Sequence, residues 1–133
     1  MITGLSIGIY LQQVLGADEA FREALGSGIC SPLVVPDGSS NWPAVIYRRE
    51  RLESNGDKDG RGDDRVSVSF MVASDEYGEA VRCLEALREA LEGRSGEAGG
   101  LTVMDAKVTG ADEAYNLDGG YYEEYLTIEF LTV

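Results

Sequence analysis

The sequence predicts an α+β domain: a mainly antiparallel sheet of four to five strands, helices packed on one face, and one long β-hairpin arm. Three observations predict it. Apolar residues recur at helical spacing over residues 5–15 and 75–92, but alternate with period two over 65–73 and 125–130. The elements follow the order ααβββαββ, which lacks the strand–helix alternation of a parallel sheet. The 133 residues, 44% of them hydrophobic, suffice for one core, so a single domain over 1–133 is expected.

Each element has a local reason. Residues 5–15 set Ile7, Tyr10, Leu11 and Val14 on one helical face. Gly16 suits the end of that helix, and Asp18 can cap a short second helix carrying Phe21, Ala24 and Leu25, closed by Gly26 and Gly28. Residues 29–35 are β-branched and apolar, but Pro32 confines them to an edge or an irregular strand. Residues 36–41 have turn composition. Ala44 to Tyr47 opens a strand that continues into Arg48, Arg49, Glu50 and Arg51. A tip rich in Gly and Asp at 54–64, expected to be mobile, separates it from an antiparallel return at 65–73. There Val66, Val68, Phe70 and Val72 face one side, and Ser67, Ser69 and Met71 the other.

Residues 75–92 carry the strongest helical pattern. Ser74 is the expected N-cap, and Asp75 and Glu76 sit at the positive end of the helix dipole. Tyr77, Ala80, Leu84, Leu87 and Leu91 form one stripe, with Glu85 and Glu89 opposite. Gly93 ends the helix and 94–100 reads as a flexible connection. Two strands follow, at 101–108 and 121–133, joined by an acidic, Gly-containing loop at 110–120. In the last strand Leu126, Ile128 and Phe130 alternate with Tyr125, Thr127 and Glu129.

Composition narrows the chemistry. Eleven Lys and Arg against 24 Asp and Glu give a net charge of −13, a surface that repels phosphate and argues against binding nucleic acid or an anionic membrane. No apolar run approaches a membrane-spanning length. The opening Met1-Ile2-Thr3-Gly4 lacks the pattern of a secretory signal, and Cys30 and Cys83 are expected to be reduced core residues of a cytosol-made protein. No histidine occurs, which excludes a Ser–His–Asp triad, a Cys–His pair and an ordinary zinc site. No cofactor, metal or catalytic residue is expected.

Four local patterns invite a functional reading. Asn55-Gly-Asp57-Lys-Asp59-Gly60 matches the first half of a calcium loop, but position 12 is Val66 instead of Glu and an ordinary turn explains it. Arg61-Gly62-Asp63 is a chance tripeptide, and no glycine pattern makes a phosphate cradle. The acidic pairs Asp63-Asp64, Asp75-Glu76 and Glu123-Glu124 read as solvated faces, because neighbours on a strand point to opposite sides. Tyr115, Tyr121, Tyr122 and Tyr125 cluster near the end of the chain, either as half-buried sheet residues or as an interface.

Charge is placed unevenly. Residues 48–65 hold six basic and six acidic groups, whereas the remaining 115 residues hold five and 18. Residues 111–133 contain six acids and no base. Chance solvation of a loop gives such an asymmetry, and so does an arm that meets an acidic partner, including another copy of the chain. The candidate interface residues are therefore Arg48, Arg49, Arg51 and Arg65, with Tyr121, Tyr122 and Tyr125.

The order of these pieces resembles the tail-completion, or tail-terminator-like, proteins of long-tailed phages and prophages. The resemblance rests on a helical N-terminus, on Pro43-Ala44-Val45-Ile46-Tyr47 with its basic continuation, on the strand Val66–Ala73 feeding the helix of 75–92, and on the closing strand Tyr125-Leu-Thr-Ile-Glu-Phe-Leu-Thr-Val133. It covers nearly the whole chain and departs at the tip 54–64 and at 110–120. The resemblance implies a non-enzymatic virion protein of the tail or neck, made in the bacterial host cytoplasm. It also implies a ring, a hexamer by family likeness, that caps the tail tube and joins it to the head connector. An acidic DNA-mimic inhibitor remains the alternative from another class.

Overall fold

Helical and alternating segments settle into three helices and a six-stranded sheet, in a computed structural model that describes residues 2–34, 41–54 and 63–133. A 3-10 turn, Gly4–Ser6, leads into α1, Ile7–Ala17, which buries Ile7, Tyr10, Leu11, Val14 and Leu15. Gly16 lies inside α1, so the break comes from Asp18. Its carboxylate accepts the Phe21 N–H at 2.8 Å and caps α2, Glu19–Leu25, satisfying a donor the helix itself cannot. Gly26, at φ 57°, closes α2. Gly28 then passes against the Pro43 carbonyl so closely that a Cβ would collide with that oxygen.

The strands are β1 (Ile29–Pro32), β2 (Ala44–Ser54), β3 (Asp64–Ser74), β4 (Gly96–Ala98), β5 (Leu101–Asn116) and β6 (Tyr121–Thr132), with α3, Tyr77–Leu91, between β3 and β4. They form one sheet in the order β1-β2-β3-β6-β5-β4, in which only the β1–β2 pair is parallel. β1 is an edge strand, as its proline requires, and stops at Pro32 short of residue 35. The calcium-like positions 55–60, Arg61 and Gly62 of the tip, and the turn at 36–40, lie outside the described residues. Val66, which the calcium reading would need as a ligand, is fully buried in the core.

One face of the sheet meets the helices. Val66, Val68, Phe70 and Val72 of β3 and Leu126, Ile128 and Phe130 of β6 share a single core with Val45 and Tyr47 of β2 and with the buried stripes of the helices. Tyr10 of α1 stands edge-on to Phe130, with ring centroids 6.3 Å apart. Burying each of the large side chains Phe21, Phe70 and Phe130 contributes about 2–3 kcal/mol. The alternate positions, among them Ser67, Ser69, Met71, Tyr125, Thr127 and Glu129, are only half-buried, and none belongs to that core.

Four expectations need correction. The sheet has six strands, so the order is ααβββαβββ. The extra strand is β4, inside the supposed flexible connection. Gly99 and Gly100, at φ 60° and 80°, make the tight turn that lets Ala98 pair with Leu101, so glycine marks a hairpin there rather than looseness. β5 runs on through most of the supposed loop at 110–120, because Gly110 sits at a bulge and does not end the strand. Only 117–120 turn. Ser74 ends β3 and does not occupy the N-cap of α3, although its Oγ accepts the Glu76 N–H at 3.1 Å and donates to Glu79 at 2.7 Å. Finally, the buried stripe of α3 is Ala80, Cys83, Leu87, Ala90 and Leu91; Tyr77 is exposed and Leu84 only partly buried.

Candidate interaction surface

Strand register assigns each candidate residue to a face. β2 pairs with β3 so that Arg48 lies opposite Ser69 and Arg51 opposite Ser67, positions that alternate with the core set; Arg65 belongs to the same outer row. Tyr125, opposite Met71, and by alternation Tyr121 share that outer face. Arg49 lies opposite core Val68, and Tyr122 lies two residues from Glu124, so both belong to the helix side. The seven residues therefore form two groups and not one cluster. Alternation sends Arg48 and Arg49 to opposite faces, and a bulge between Arg49 and Arg51 returns Arg51 to the outer row.

The outer group has its own geometry. Ile46, Arg48, Glu50, Ser69, Met71 and Tyr125 line a shallow groove of about 380 Å³. Arg48 pairs with Glu50 at 3.5 Å, Arg51 with Glu53, and Arg65 with Glu129 at 3.2 Å. These pairs are exposed and each stabilises the monomer by less than about 1 kcal/mol, so they are cheap to exchange for partner contacts. The Tyr125 hydroxyl donates to Glu123 at 2.8 Å; burial and that carboxylate push its pKa up to about 12. Tyr121 stacks at 5.2 Å on Trp42 and its hydroxyl accepts from Asn116 at 3.0 Å.

On the helix side, at the far end of the β5–β6 hairpin, Tyr122 sits between Tyr115 and Tyr77, at 4.8 and 5.4 Å. Tyr77, the first residue of α3, donates its hydroxyl to Glu113 at 2.8 Å, which raises its pKa. Glu113 lies directly opposite Glu124 in the β5–β6 register. Glu124 is 7% exposed, and its Oε2 has no hydrogen-bond partner among the described residues. Burial pushes Glu124 up to about 7, and a side-chain hydrogen bond with the facing Glu113, together with that carboxylate's charge, pushes the same way. This pair escaped the sequence reading, which compared only adjacent acids. The signal was present: Asp118-Gly119-Gly120 is a turn, and counting outward from it pairs 116 with 121, 115 with 122 and 113 with 124.

Elsewhere the chemistry is sparse. Burial pushes Cys83 up to about 12 and Cys30 to about 11, so both stay as thiols rather than nucleophilic thiolates. Among the described residues no group of three or more Cys, Asp or Glu could hold a metal ion. A further cavity of about 190 Å³, between α1, α2 and β2, is lined chiefly by Leu15, Phe21, Leu25, Cys30 and Tyr47. No described helix is long and apolar enough to cross a membrane.

The family model described as Tail completion protein gp17 matches residues 9–132. Among solved structures, a chain from "Virion of native gene transfer agent (GTA) particle" superimposes with a TM-score of 0.77 at 16% identity, covering 92% of this chain and 91% of that one. At that identity the likeness concerns the fold. No curated protein matches.

Proposed function

We propose, from the premise that this chain belongs to the tail completion protein gp17 family, that it works without catalysis as a ring that caps a phage-type tail tube and joins it to the head connector. The family places it among structural phage tail proteins, in the virion tail or neck. A fold shared with a chain of a gene transfer agent particle, itself a phage-like assembly, supports the same setting.

The observation that carries the ring reading is the difference between the two faces. The uncovered sheet face sets Arg48, Arg51, Arg65 and Lys107 among Glu50, Glu53, Asp105, Glu123 and Glu129, with the three arginines in exposed ion pairs. The other face is covered by helices, of which α2 and α3 together hold five glutamates and three arginines, with Glu85 and Glu89 exposed. Unlike faces favour head-to-tail contact, and such contacts close into rings when the rotation per subunit allows. The net charge of −13 also suits a lumen through which DNA passes without sticking. The DNA-mimic alternative needs a face of carboxylates spaced like phosphates. Here Arg48, Arg51 and Arg65 interrupt Glu53 and Glu129 on the open face instead.

Light scattering coupled to size exclusion tests the reading. The concentrated protein should oligomerise at low salt, and association should weaken as ionic strength rises from about 50 to 500 mM. Arg48, Arg49 and Arg51 changed together to Glu should reduce it. Mixing with tail-tube subunits should give co-assembly. Capture of a DNA-binding protein that DNA displaces would instead support the inhibitor reading.

A further inference from the structure

We propose that Glu113, Glu124 and Tyr77 form a proton-operated latch between the far end of the β5–β6 hairpin and the start of α3, closed while the two carboxyls share a proton. The inference is independent of the ring reading above. Glu113 and Glu124 lie directly opposite each other in the β5–β6 register, and their side chains are hydrogen-bonded. Two ionised carboxylates offer each other only acceptors, so that bond requires a proton between them. The Tyr77 hydroxyl donates to the same Glu113 at 2.8 Å, which carries the connection from the hairpin to the helix.

The surroundings make the proton matter. Glu124 is buried, and its Oε2 has no hydrogen-bond partner among the described residues. The titratable groups facing it are Glu113 from β5 and the Tyr77 hydroxyl from α3; Val72, its neighbour on β3, and Leu84 of α3, which lines the same groove, are apolar. The charged groups of α3 are engaged or exposed: Arg82 reaches Glu76 at 3.5 Å, Arg88 reaches Glu92 at 3.0 Å, Glu79 accepts from Ser74, and Glu85 and Glu89 face solvent. Glu113 is exposed at the rim of an open groove of about 480 Å³ that Glu124 also lines, so water reaches the pair.

Losing the proton turns an attraction into a repulsion. Glu124 then stands ionised and buried opposite a second acid, and separating or hydrating the two carboxylates relieves the conflict. That movement draws Glu113 away from Tyr77. It also loosens the rings around Tyr122, which Tyr77 and Tyr115 flank at 5.4 and 4.8 Å. The sign follows from Glu124, held at about 7 against 4.5 for an unperturbed glutamate. The closed form is most favoured below 4.5, loses ground as pH rises, and has lost its advantage above about 7.

Hydrogen exchange of the whole chain tests this, read at the amides of 113–124 and 80–84 and corrected for the intrinsic pH dependence of exchange. Wild-type protection at both should fall about tenfold between about pH 5.5 and 8. Protection that stays level overturns the latch. Glu124→Gln and Glu113→Gln each supply an amide N–H that bonds the remaining carboxyl whether or not it is ionised, so both variants should stay protected to pH 8. If both lose protection as the wild type does, the pair is not the switch. Tyr77→Phe should keep the pH response of the hairpin while uncoupling α3 from it; helix amides that still follow the pH overturn Tyr77 as the link. The amide variants are isosteric, and the wild-type profile alone decides against the latch should either fail to fold.

Discussion

Two positions show how single atoms set the energetics of this chain. Glu124 titrates at about 7 when folded, against 4.5 for an unperturbed glutamate, so the folded state holds this proton more tightly than the unfolded one. Its contribution to stability is therefore most favourable below 4.5, falls as pH rises, and levels off above 7. Glu124→Gln removes that fall. Thermal melts should show the variant gaining about 1–3 kcal/mol over wild type at pH 8 and little at pH 4. A gain that is flat with pH would show that the carboxyl titrates normally. With no histidine in the chain and both thiols held protonated, few other side chains compete for this range. Gly28 is the steric counterpart: Gly28→Ala forces a Cβ onto the Pro43 carbonyl and should cost about 1–3 kcal/mol in a denaturant titration. The Asp18 cap was legible in the sequence because capping is local. The Glu113–Glu124 pair was not read, because its partner comes from strand register.

Elements are where local pattern predicted well and long-range pairing decided the rest. The alternation of Val66, Val68, Phe70 and Val72 and the face of α1 are both buried as expected, since each is a property of one segment. The stripe of α3 was misplaced by a fraction of a turn. Spacing alone cannot tell which of two adjacent apolar arcs meets the sheet, and Cys83 and Ala90 won the place given to Tyr77. Tyr77 is drawn instead to Glu113 and Tyr122 at the hairpin. Glycine misled in the other direction: at 99–100 and 110 it shapes strands that composition reads as loops. The joint between α1 and β6 gives a sharp test. Phe130→Ala removes a fully buried ring that Tyr10 stands against, and should destabilise by about 3–5 kcal/mol in equilibrium unfolding. A loss below about 1 kcal/mol would mean that the core there collapses to fill the space.

The described residues form two layers, with the helices over one side of the sheet and no described helix over the other, and that asymmetry is what the proposed assembly uses. The fold class and the family were legible from order and periodicity, and alternation alone splits Arg48 from Arg49 and Tyr121 from Tyr122; the return of Arg51 to the row of Arg48 was not legible, because a one-residue bulge redirects β2. Sheet order has a consequence for synthesis. β6, the last strand in the chain, lies between β3 and β5. Until the ribosome has passed residue 132, the nascent polypeptide presents two unmated edges with a vacancy between them. Fragments cut short before that point are therefore expected to clump or be degraded, so a truncated copy would be removed rather than compete for places in an assembly.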